Sequence, residues 1–128
     1  MYKHLIDAAH AARANAYAPY SKFSVGAALL SKSGQIFCGG NVENISLGLT
    51  ICAERTCVVI ALAKGQREFE AIAIVSDSAI PVVPCGACRQ VLAEFSPNLH
   101  LISATLNGMT EEFELGILLP KPKQGILA

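Results

Sequence analysis

The sequence predicts a single three-layer α/β/α domain over residues 1–128, with a mixed sheet of about five strands and helices on both faces. Three observations predict this class. Strand-like and helix-like segments alternate along the chain, which is the pattern of α/β folds. The chain of 128 residues suffices for one core but not for two ordinary domains. The short apolar run "AIAIVS" suits a strand that is buried on both faces.

The N-terminal half predicts a helix, a hairpin and a second helix. Apolar residues recur at helical spacing near the start, at Tyr2, Leu5, Ile6, Ala9 and Ala12. This first helix should end before Pro19. The segments "KFSVGAALL" and "QIFCGGNVEN" flank the turn-like "SKSG" and predict a β-hairpin. A second helix should run from about Ile51 to Lys64, with Thr50 as its cap and Gly65 at its end.

The C-terminal half predicts a strand, a helix, a hairpin and a short final helix. The strand is "AIAIVS", and Pro84 then opens a helix that should reach about Phe95. "LHLISATL" is a further strand, and Asn107 with Gly108 supplies a hairpin turn. The segment "ELGILLP" predicts a short helix. Strands and helices therefore interleave throughout, as the fold class requires.

The charge balance argues against a nucleic-acid partner. Lys plus Arg number 10 and Asp plus Glu number 10, and no basic run occurs. Proteins that bind nucleic acids normally carry a positive stripe, because phosphate contacts supply most of their affinity. No Gly-rich phosphate loop is present either, so a small and roughly neutral ligand is the expected partner.

The apolar content argues for contact between subunits rather than with a membrane. The hydrophobic share is 52% and the mean hydropathy is +0.44, yet no apolar run approaches the ~20 residues of a membrane span. The first residues lack the features of a signal peptide, so the expected location is cytoplasmic. Five cysteines is an odd number, which favours metal binding or catalysis over a disulfide framework.

Two stretches carry residues suited to metal chemistry, "TICAERTCVV" and "VPCGACRQVL". We expect Cys52 in the first turn of one helix, and Cys85 and Cys88 in the first turn of another. Residues three apart share a helix face, and the positive end of a helix favours the thiolate that zinc requires. Three thiolates leave one tetrahedral position of zinc open, as catalytic zinc sites do. A water molecule at an open position can lose its proton near neutral pH.

The neighbouring charged residues have roles in such a site. Glu54 is placed to carry a proton between water and substrate without binding the metal. Zinc with three thiolates has a net charge of −1, which opposes deprotonation of the water. Arg55 can donate hydrogen bonds to the sulfur atoms and draw off part of that charge.

A structural zinc site explains the same residues. A closed site needs a fourth ligand, and Cys38, Cys57 and His100 are available for it. Cys38 and Cys57 are otherwise expected to be ordinary core residues. Glu54 could then simply complement the helix dipole, and Arg55 could form a solvated ion pair. The spacing of the cysteines leaves both interpretations open.

Longer motifs favour the catalytic interpretation. The segments "YSKFSVGAALL", "NVENISLGLTICAERT" and "PCGACRQVLAEF" resemble, in order and spacing, the small homotetrameric cytidine deaminases. The likeness extends from about Ala18 to Pro120. Zinc deaminases combine three protein ligands with a glutamate that is not a ligand.

The resemblance implies a role for each of several residues. Cys52, Cys85 and Cys88 would bind one Zn²⁺ per subunit. Glu54 would be the proton shuttle, and Arg55 would donate to the thiolates. Four further residues would bind the substrate, with Phe23 against the pyrimidine, the backbone amide of Ala53 on the base, and Asn41 and Glu43 on the ribose hydroxyls.

The implied reaction is hydrolytic deamination of cytidine and 2′-deoxycytidine to uridine and 2′-deoxyuridine, with release of ammonia, in pyrimidine salvage. Alternatives are a related deaminase of a modified pyrimidine nucleoside or nucleoside antibiotic, and a non-catalytic zinc module. Many relatives have a tyrosine where this chain has Leu47, and an aromatic residue after the "LLP" of the tail. Their absence is expected to remove ring surface from the substrate pocket, so that pyrimidines substituted at N4 or C5 fit better.

Overall fold

The computed structural model describes residues 2–123, so the last five residues of the tail lie outside the described part. The strands are β1 Val25–Ser31, β2 Ile36–Gly40, β3 Phe69–Ser76, β4 His100–Thr105 and β5 Thr110–Glu114. The helices are α1 Lys3–Ala12, α2 Ala53–Ala63, α3 Gly86–Phe95 and α4 Leu115–Leu118. Two 3₁₀ turns, Arg13–Asn15 and Leu47–Leu49, lie in the connections.

The strands form one mixed sheet in the order β2-β1-β3-β4-β5, which confirms the predicted sheet. β3 and β4 are parallel, while the β1–β2, β1–β3 and β4–β5 pairs are antiparallel. Parallel neighbours need a crossover, and α3 supplies it. α2 runs up to the start of β3 and α3 follows the end of β3. The first turns of both helices therefore lie at the carboxyl end of β3.

Helices cover both faces of the sheet, as predicted. On one face, Leu5 and Ala9 of α1 are fully buried against a cluster that includes Ala28, Ala73 and Ile102. On the other face, α2, α3 and α4 bury apolar residues against the alternate positions of the same strands, including Val58, Leu92, Leu115, Leu29 and Ile72. Period-two alternation along β1, β3 and β4 thus supplies two apolar faces. The three-layer arrangement follows from it.

The predicted starts of α2 and α3 are each two residues too early. Thr50 does not cap α2, because Cys52 occupies the N-cap position and the helix begins at Ala53. Pro84 precedes α3 instead of opening it, and Cys85 is the N-cap. A proline in front of a helix and a proline in its first turn give the same sequence signal. Cys52 and Cys85 consequently flank their helices, and only Cys88 lies inside a first turn.

The remaining predicted elements are confirmed, with one exception in burial. The β1–β2 hairpin, the β4–β5 hairpin and the short α4 all form. Gly108 in the second hairpin has φ +91°, a conformation that favours glycine. Cys57 is buried, but Cys38 is exposed on β2, so its assignment to the core was wrong. Within residues 2–123, no helix is long and apolar enough to span a bilayer.

His100 should make the stability of the β4–β5 hairpin depend on pH. Its Nδ1 lies 2.9 Å from Glu114 and its Nε2 lies 2.5 Å from Glu112. Burial lowers the pKa of His100, but the hydrogen bonds to Glu114 and Glu112 outweigh it and raise the net pKa above its ordinary value. This stabilisation is full below the ordinary histidine pKa and is lost as pH rises through the folded-state pKa. His100→Gln should therefore destabilise the protein more at pH 6 than at pH 9, as measured by urea unfolding.

The matched control is His10→Gln, which changes an exposed histidine on α1. Its cost in the free energy of unfolding should differ less between the two pH values than the cost of His100→Gln does. An equal cost for His100→Gln at pH 6 and pH 9 would show that the imidazole does not hold the hairpin through its charge.

Candidate active site

Three cysteines from two helix starts meet at the carboxyl end of β3. The Sγ atoms of Cys52 and Cys85 are 3.8 Å apart, and those of Cys85 and Cys88 are 3.2 Å apart. All three sulfur atoms lie within 4.8 Å of one another. The Cys88 amide also donates to Cys85 Sγ at 3.4 Å, because an N-cap side chain faces the free amides of the first turn. Cys52 and Cys85 are 33 residues apart in the sequence, and the fold brings their side chains together.

The geometry and protonation of these thiols fit a bound zinc ion. Zn–S bonds of about 2.3 Å in a tetrahedron place sulfur atoms about 3.8 Å apart, close to the observed spacings. The hydrogen bond from Cys88, opposed by burial and aided by Arg55, lowers the pKa of Cys52 to about 5. The same hydrogen bond, together with burial, raises the pKa of Cys88. Ionisation of Cys52 therefore opposes ionisation of Cys88. A bound cation would be needed for all three thiols to ionise.

The cluster lacks a fourth protein ligand among residues 2–123. Cys52, Cys85 and Cys88 form the complete set of His, Cys, Asp or Glu donors gathered there. Of the candidates for a closed site, Cys57 donates to the Ala27 carbonyl at 3.3 Å, and His100 contacts Glu112 and Glu114. The position left open by three sulfur donors is characteristic of a catalytic rather than a structural zinc site.

Glu54 is a buried carboxyl group beside the cysteines. It is only 6% exposed, on the first turn of α2. Burial raises its pKa to about 7, and the charge of Cys52 adds to the effect. A carboxyl group with a pKa near the working pH can both accept and return a proton, as general acid–base catalysis requires.

Arg55 lies against the sulfur cluster on the side of α2. Its Nη2 is 3.8 Å from Cys52 Sγ and donates to the Thr50 carbonyl at 3.2 Å. The hydrogen bond to Cys52 raises the pKa of Arg55 above its ordinary value. The guanidinium is therefore placed to stabilise thiolate charge and to hold the loop before α2.

A cavity of about 260 Å³ opens beside Glu54 and contains most of the predicted substrate residues. Phe23, Asn41, Ala53 and Glu54 all line it. The rest of the lining comprises Val25, Thr50, Cys52, Ile74, Val82, Val83 and Cys85. Ile74, Val82 and Val83 were not predicted as site residues, although all three lie close to the end of a strand or the start of a helix in the sequence. A larger groove of about 370 Å³ lies along β5, but it contains neither the cysteines nor Glu54.

The two residues predicted to bind ribose also hold the cavity wall together. The Asn41 side chain accepts from the Val25 amide at 3.0 Å and donates to the Phe23 carbonyl at 2.9 Å. Glu43 lies outside the cavity lining, and its carboxylate accepts hydrogen bonds from the backbone of Tyr20 and Ser21 and from the Ser21 hydroxyl. The hydrogen bonds from Ser21 lower the pKa of Glu43 and keep it ionised. One amide proton of Asn41 and one acceptor position of Glu43 remain for a ligand.

Leu47 does not line the cavity of its own chain. It is 73% exposed on the 3₁₀ turn before α2, away from the lining residues. The expectation that Leu47 removes ring surface from this pocket is therefore wrong for a single chain. The predicted loss of an aromatic residue in the tail concerns the segment after Pro120, of which residues 124–128 lie outside the described part.

Three clustered sulfur donors and a buried acid at the edge of an α/β/α sheet are the features of a metal-dependent enzyme. The sequence model described as the cytidine and deoxycytidylate deaminase zinc-binding region matches residues 1–103. This chain belongs to that deaminase family.

Individual relatives agree with this assignment. The chain is 50% identical to the cytidine deaminase of Halalkalibacterium halodurans over 117 residues, which covers 91% of this chain and 89% of the relative. It matches the crystal structure of the cytidine deaminase from Burkholderia pseudomallei with a TM-score of 0.91 and 50% identity, over 94% of this chain and 98% of the other. The blasticidin-S deaminase of Bacillus cereus is 31% identical over 108 residues, or 78% of this chain and 76% of the relative.

Proposed function

We propose that this protein, as one catalytic domain over residues 1–128, hydrolyses cytidine and 2′-deoxycytidine to uridine and 2′-deoxyuridine. One water molecule is consumed and one ammonia molecule is released in each turnover. The observation that carries the proposal is the buried Glu54 carboxyl beside three clustered thiols, in the lining of a cavity that also includes Phe23 and Asn41. The 50% identity to named cytidine deaminases supports the choice of substrate.

Cys52, Cys85 and Cys88 would hold one zinc ion per subunit. When bound, zinc supplies Lewis acidity that lowers the pKa of a water molecule toward neutrality. Arg55 offsets the negative charge of the thiolates and keeps Cys52 in place through its hydrogen bonds. The N-terminal ends of α2 and α3 add partial positive charge at the same point.

Glu54 would carry every proton of the reaction. It accepts a proton from the attacking water and delivers it to N3 of the cytosine ring, which makes C4 more electrophilic. The carboxylate then takes the remaining hydroxyl proton and passes it to the departing amine, so that ammonia and the C4 carbonyl are formed. A pKa of about 7 suits a group that must exchange protons in both directions.

The cavity wall would orient the nucleoside. The Phe23 ring would offer an apolar face to the pyrimidine, and the Ala53 backbone amide would donate to the base, since both residues line the cavity. Asn41 and Glu43 would bind the ribose hydroxyls through the donor and acceptor positions that their contacts to residues 20–25 leave free. The sugar therefore lies toward Glu43, at the outer side of the cavity.

Self-association, expected as a homotetramer, is part of the proposal. Ile45, Leu47 and Leu49 are 78%, 73% and 67% exposed on one connection, which is unusual for large apolar side chains. Light scattering at micromolar concentration should return a mass well above that of one chain. A monomer would contradict the assembly but would leave the chemistry of the site unaffected. The cytoplasmic location stays a prediction, which cell fractionation can check. The role in pyrimidine salvage also stays a prediction.

An ammonia-release assay on a panel of substrates tests the proposed function. The panel contains cytosine, cytidine, 2′-deoxycytidine, CMP and blasticidin S, which would release ammonia, and an N4-substituted cytidine, which would release its substituted amine and is followed by the formation of uridine. Release from the two nucleosides, with little from cytosine or CMP, is the expected result. A higher kcat/KM on blasticidin S or on the N4-substituted cytidine would favour the modified-substrate alternative, which the relative from Bacillus cereus makes worth testing.

A further inference from the structure

The segment that carries Phe23 to the cavity has little regular structure of its own. Residues 16–24 contain a single β-bridge, from Tyr17 to Val42, and no helix or strand. Lys22, next to Phe23, has φ +61°, a left-handed conformation that is costly for a residue with a side chain. Such a conformation persists only where surrounding contacts impose it. The position of the Phe23 ring therefore depends on what holds this segment.

Side-chain acceptors hold four backbone amides of the segment, those of Tyr20, Ser21, Phe23 and Ser24, and the amide of Val25 directly after it. Tyr20 and Ser21 donate to Glu43, Phe23 donates to the Ser21 hydroxyl, and Val25 donates to Asn41. The amide of Ser24, directly after Phe23, donates to Asp77 Oδ2 at 3.0 Å. Asp77 is the acceptor that comes from a distant part of the chain, since it follows β3 and is 53 residues from Ser24.

Asp77 is itself held in place by Arg13. The Nε atom of Arg13 lies 3.0 Å from Asp77 Oδ1 in an ion pair that lacks hydrogen-bond geometry, and the two side chains are only 26% and 28% exposed. Arg13 belongs to the 3₁₀ turn after α1, which packs tightly against the start of β1. A Cβ atom on Gly26 would lie 2.1 Å from the Ala9 carbonyl oxygen and 2.5 Å from the Arg13 amide nitrogen. The backbone of Arg13 is therefore held by close packing against β1. The Asp77 carboxylate contacts Arg13 through Oδ1 and accepts from the Ser24 amide through Oδ2.

We propose that Asp77, held by Arg13, is a positioning residue that fixes Phe23 against the pyrimidine ring of the substrate. The Asp77 carboxylate connects the Phe23 wall of the cavity to the end of β3, whose Ile74 lines the same cavity. The Ser24–Asp77–Arg13 contacts therefore act together with the Asn41 and Glu43 contacts to set the width of the slot that receives the flat base. This inference rests on the proposed function only in taking the bound ring to be a pyrimidine.

Kinetics of the purified enzyme test the role of Asp77 in substrate binding. Asp77→Ala should raise KM for cytidine about 3- to 10-fold, because a charge-assisted hydrogen bond to the segment is lost. The value of kcat should stay within about twofold, since no proton of the reaction passes through Asp77. Asp77→Asn keeps an oxygen acceptor for Ser24 and should lie between the wild type and the alanine variant. Arg13→Gln should raise KM in the same direction.

A double-mutant cycle separates positioning of Phe23 from a general structural role. In a Phe23→Leu background, Asp77→Asn should have little further effect on KM, because the ring that it positions is gone. An equal factor in both backgrounds would overturn the proposal, as would an unchanged KM in Asp77→Ala or a loss confined to kcat. Asp7→Asn, which removes an exposed carboxylate paired with Lys3 at 3.1 Å, is the matched control and should leave both constants unchanged.

Amide hydrogen exchange supplies a readout that does not need turnover. Exchange at the Ser24 amide should accelerate at least about tenfold in Asp77→Ala, which removes its acceptor, and stay unchanged in Asp7→Asn. Absence of deamination by the wild type would refute the proposed function, and the exchange rates would still decide the role of Asp77. Normal deamination with unaltered exchange and KM in the variants would refute the Asp77 inference alone.

Discussion

Glu54→Gln should lower kcat for cytidine by about 10²- to 10⁴-fold while leaving bound zinc in place, because general acid–base catalysis alone contributes that much. Glutamine has nearly the same shape as glutamate but cannot accept the proton of water. Glu54 is buried, so a neutral side chain should not reduce the free energy of unfolding. Steady-state kinetics and metal analysis of the same preparation would measure both effects.

The control for this variant is Glu94→Gln, which alters a surface glutamate paired with Lys123 at 3.4 Å. That change should leave turnover and zinc content as in the wild type. Turnover by Glu54→Gln within about tenfold of the wild type would show that another group carries the protons. Loss of zinc from the variant would instead show that Glu54 supports the metal site directly.

Cys88→Ala should abolish zinc binding and activity together. Cys88 is fully buried in the first turn of α3, so no solvent-exposed group can easily take its place. Changes to residues that merely support metal ligands typically cost 10- to 100-fold in metal affinity, so loss of a ligand should cost more than about 100-fold. Metal analysis after dialysis should find far less zinc per chain than in the wild type. Wild-type protein treated with a chelator should lose activity and regain it when zinc is added.

Cys57→Ala is the matched control for the ligand variant. Cys57 is equally buried and lies on α2, but its thiol donates to the Ala27 carbonyl and it is not part of the cluster. Its replacement should lower stability modestly and leave zinc content unchanged. Full zinc retention by Cys88→Ala, or zinc loss from Cys57→Ala, would contradict the assignment of the ligands.

The elements of the fold were predictable because their signals are local. Helical spacing in α1, the turn residues of both hairpins and the apolar run 71–75 in β3 depend on neighbours within a few positions in the sequence. Helix starts were less certain, because Thr50 and Cys52 are both followed by residues compatible with a helix. The structure places the cap at Cys52, which puts its sulfur atom at the end of the helix, where it faces Cys85.

The site was predictable mainly from motifs whose order and spacing match the deaminase family. Residue chemistry alone allowed a closed zinc site with Cys38, Cys57 or His100 as the fourth ligand. Each of these lies elsewhere in the fold. Cys38 is exposed on β2, Cys57 is buried in the core, and His100 lies between two glutamates of β5. Asp77 carried no sequence signal, because an aspartate after a strand is common in turns and its partners Ser24 and Arg13 are far away in the chain.

The sequence by itself determined the order of helices and strands, the residue types of the metal cluster and the family to which the chain belongs. Only the tertiary structure decided that three sulfur atoms lie within 4.8 Å, that Glu54 is buried with its pKa near 7, and that Glu43 lies outside the cavity lining. The physical reason is the distance along the sequence over which each kind of interaction acts. Propensity, capping and spacing act between residues close in sequence, whereas burial and ligand geometry depend on how β3 is packed between α1 and the helices α2 and α3.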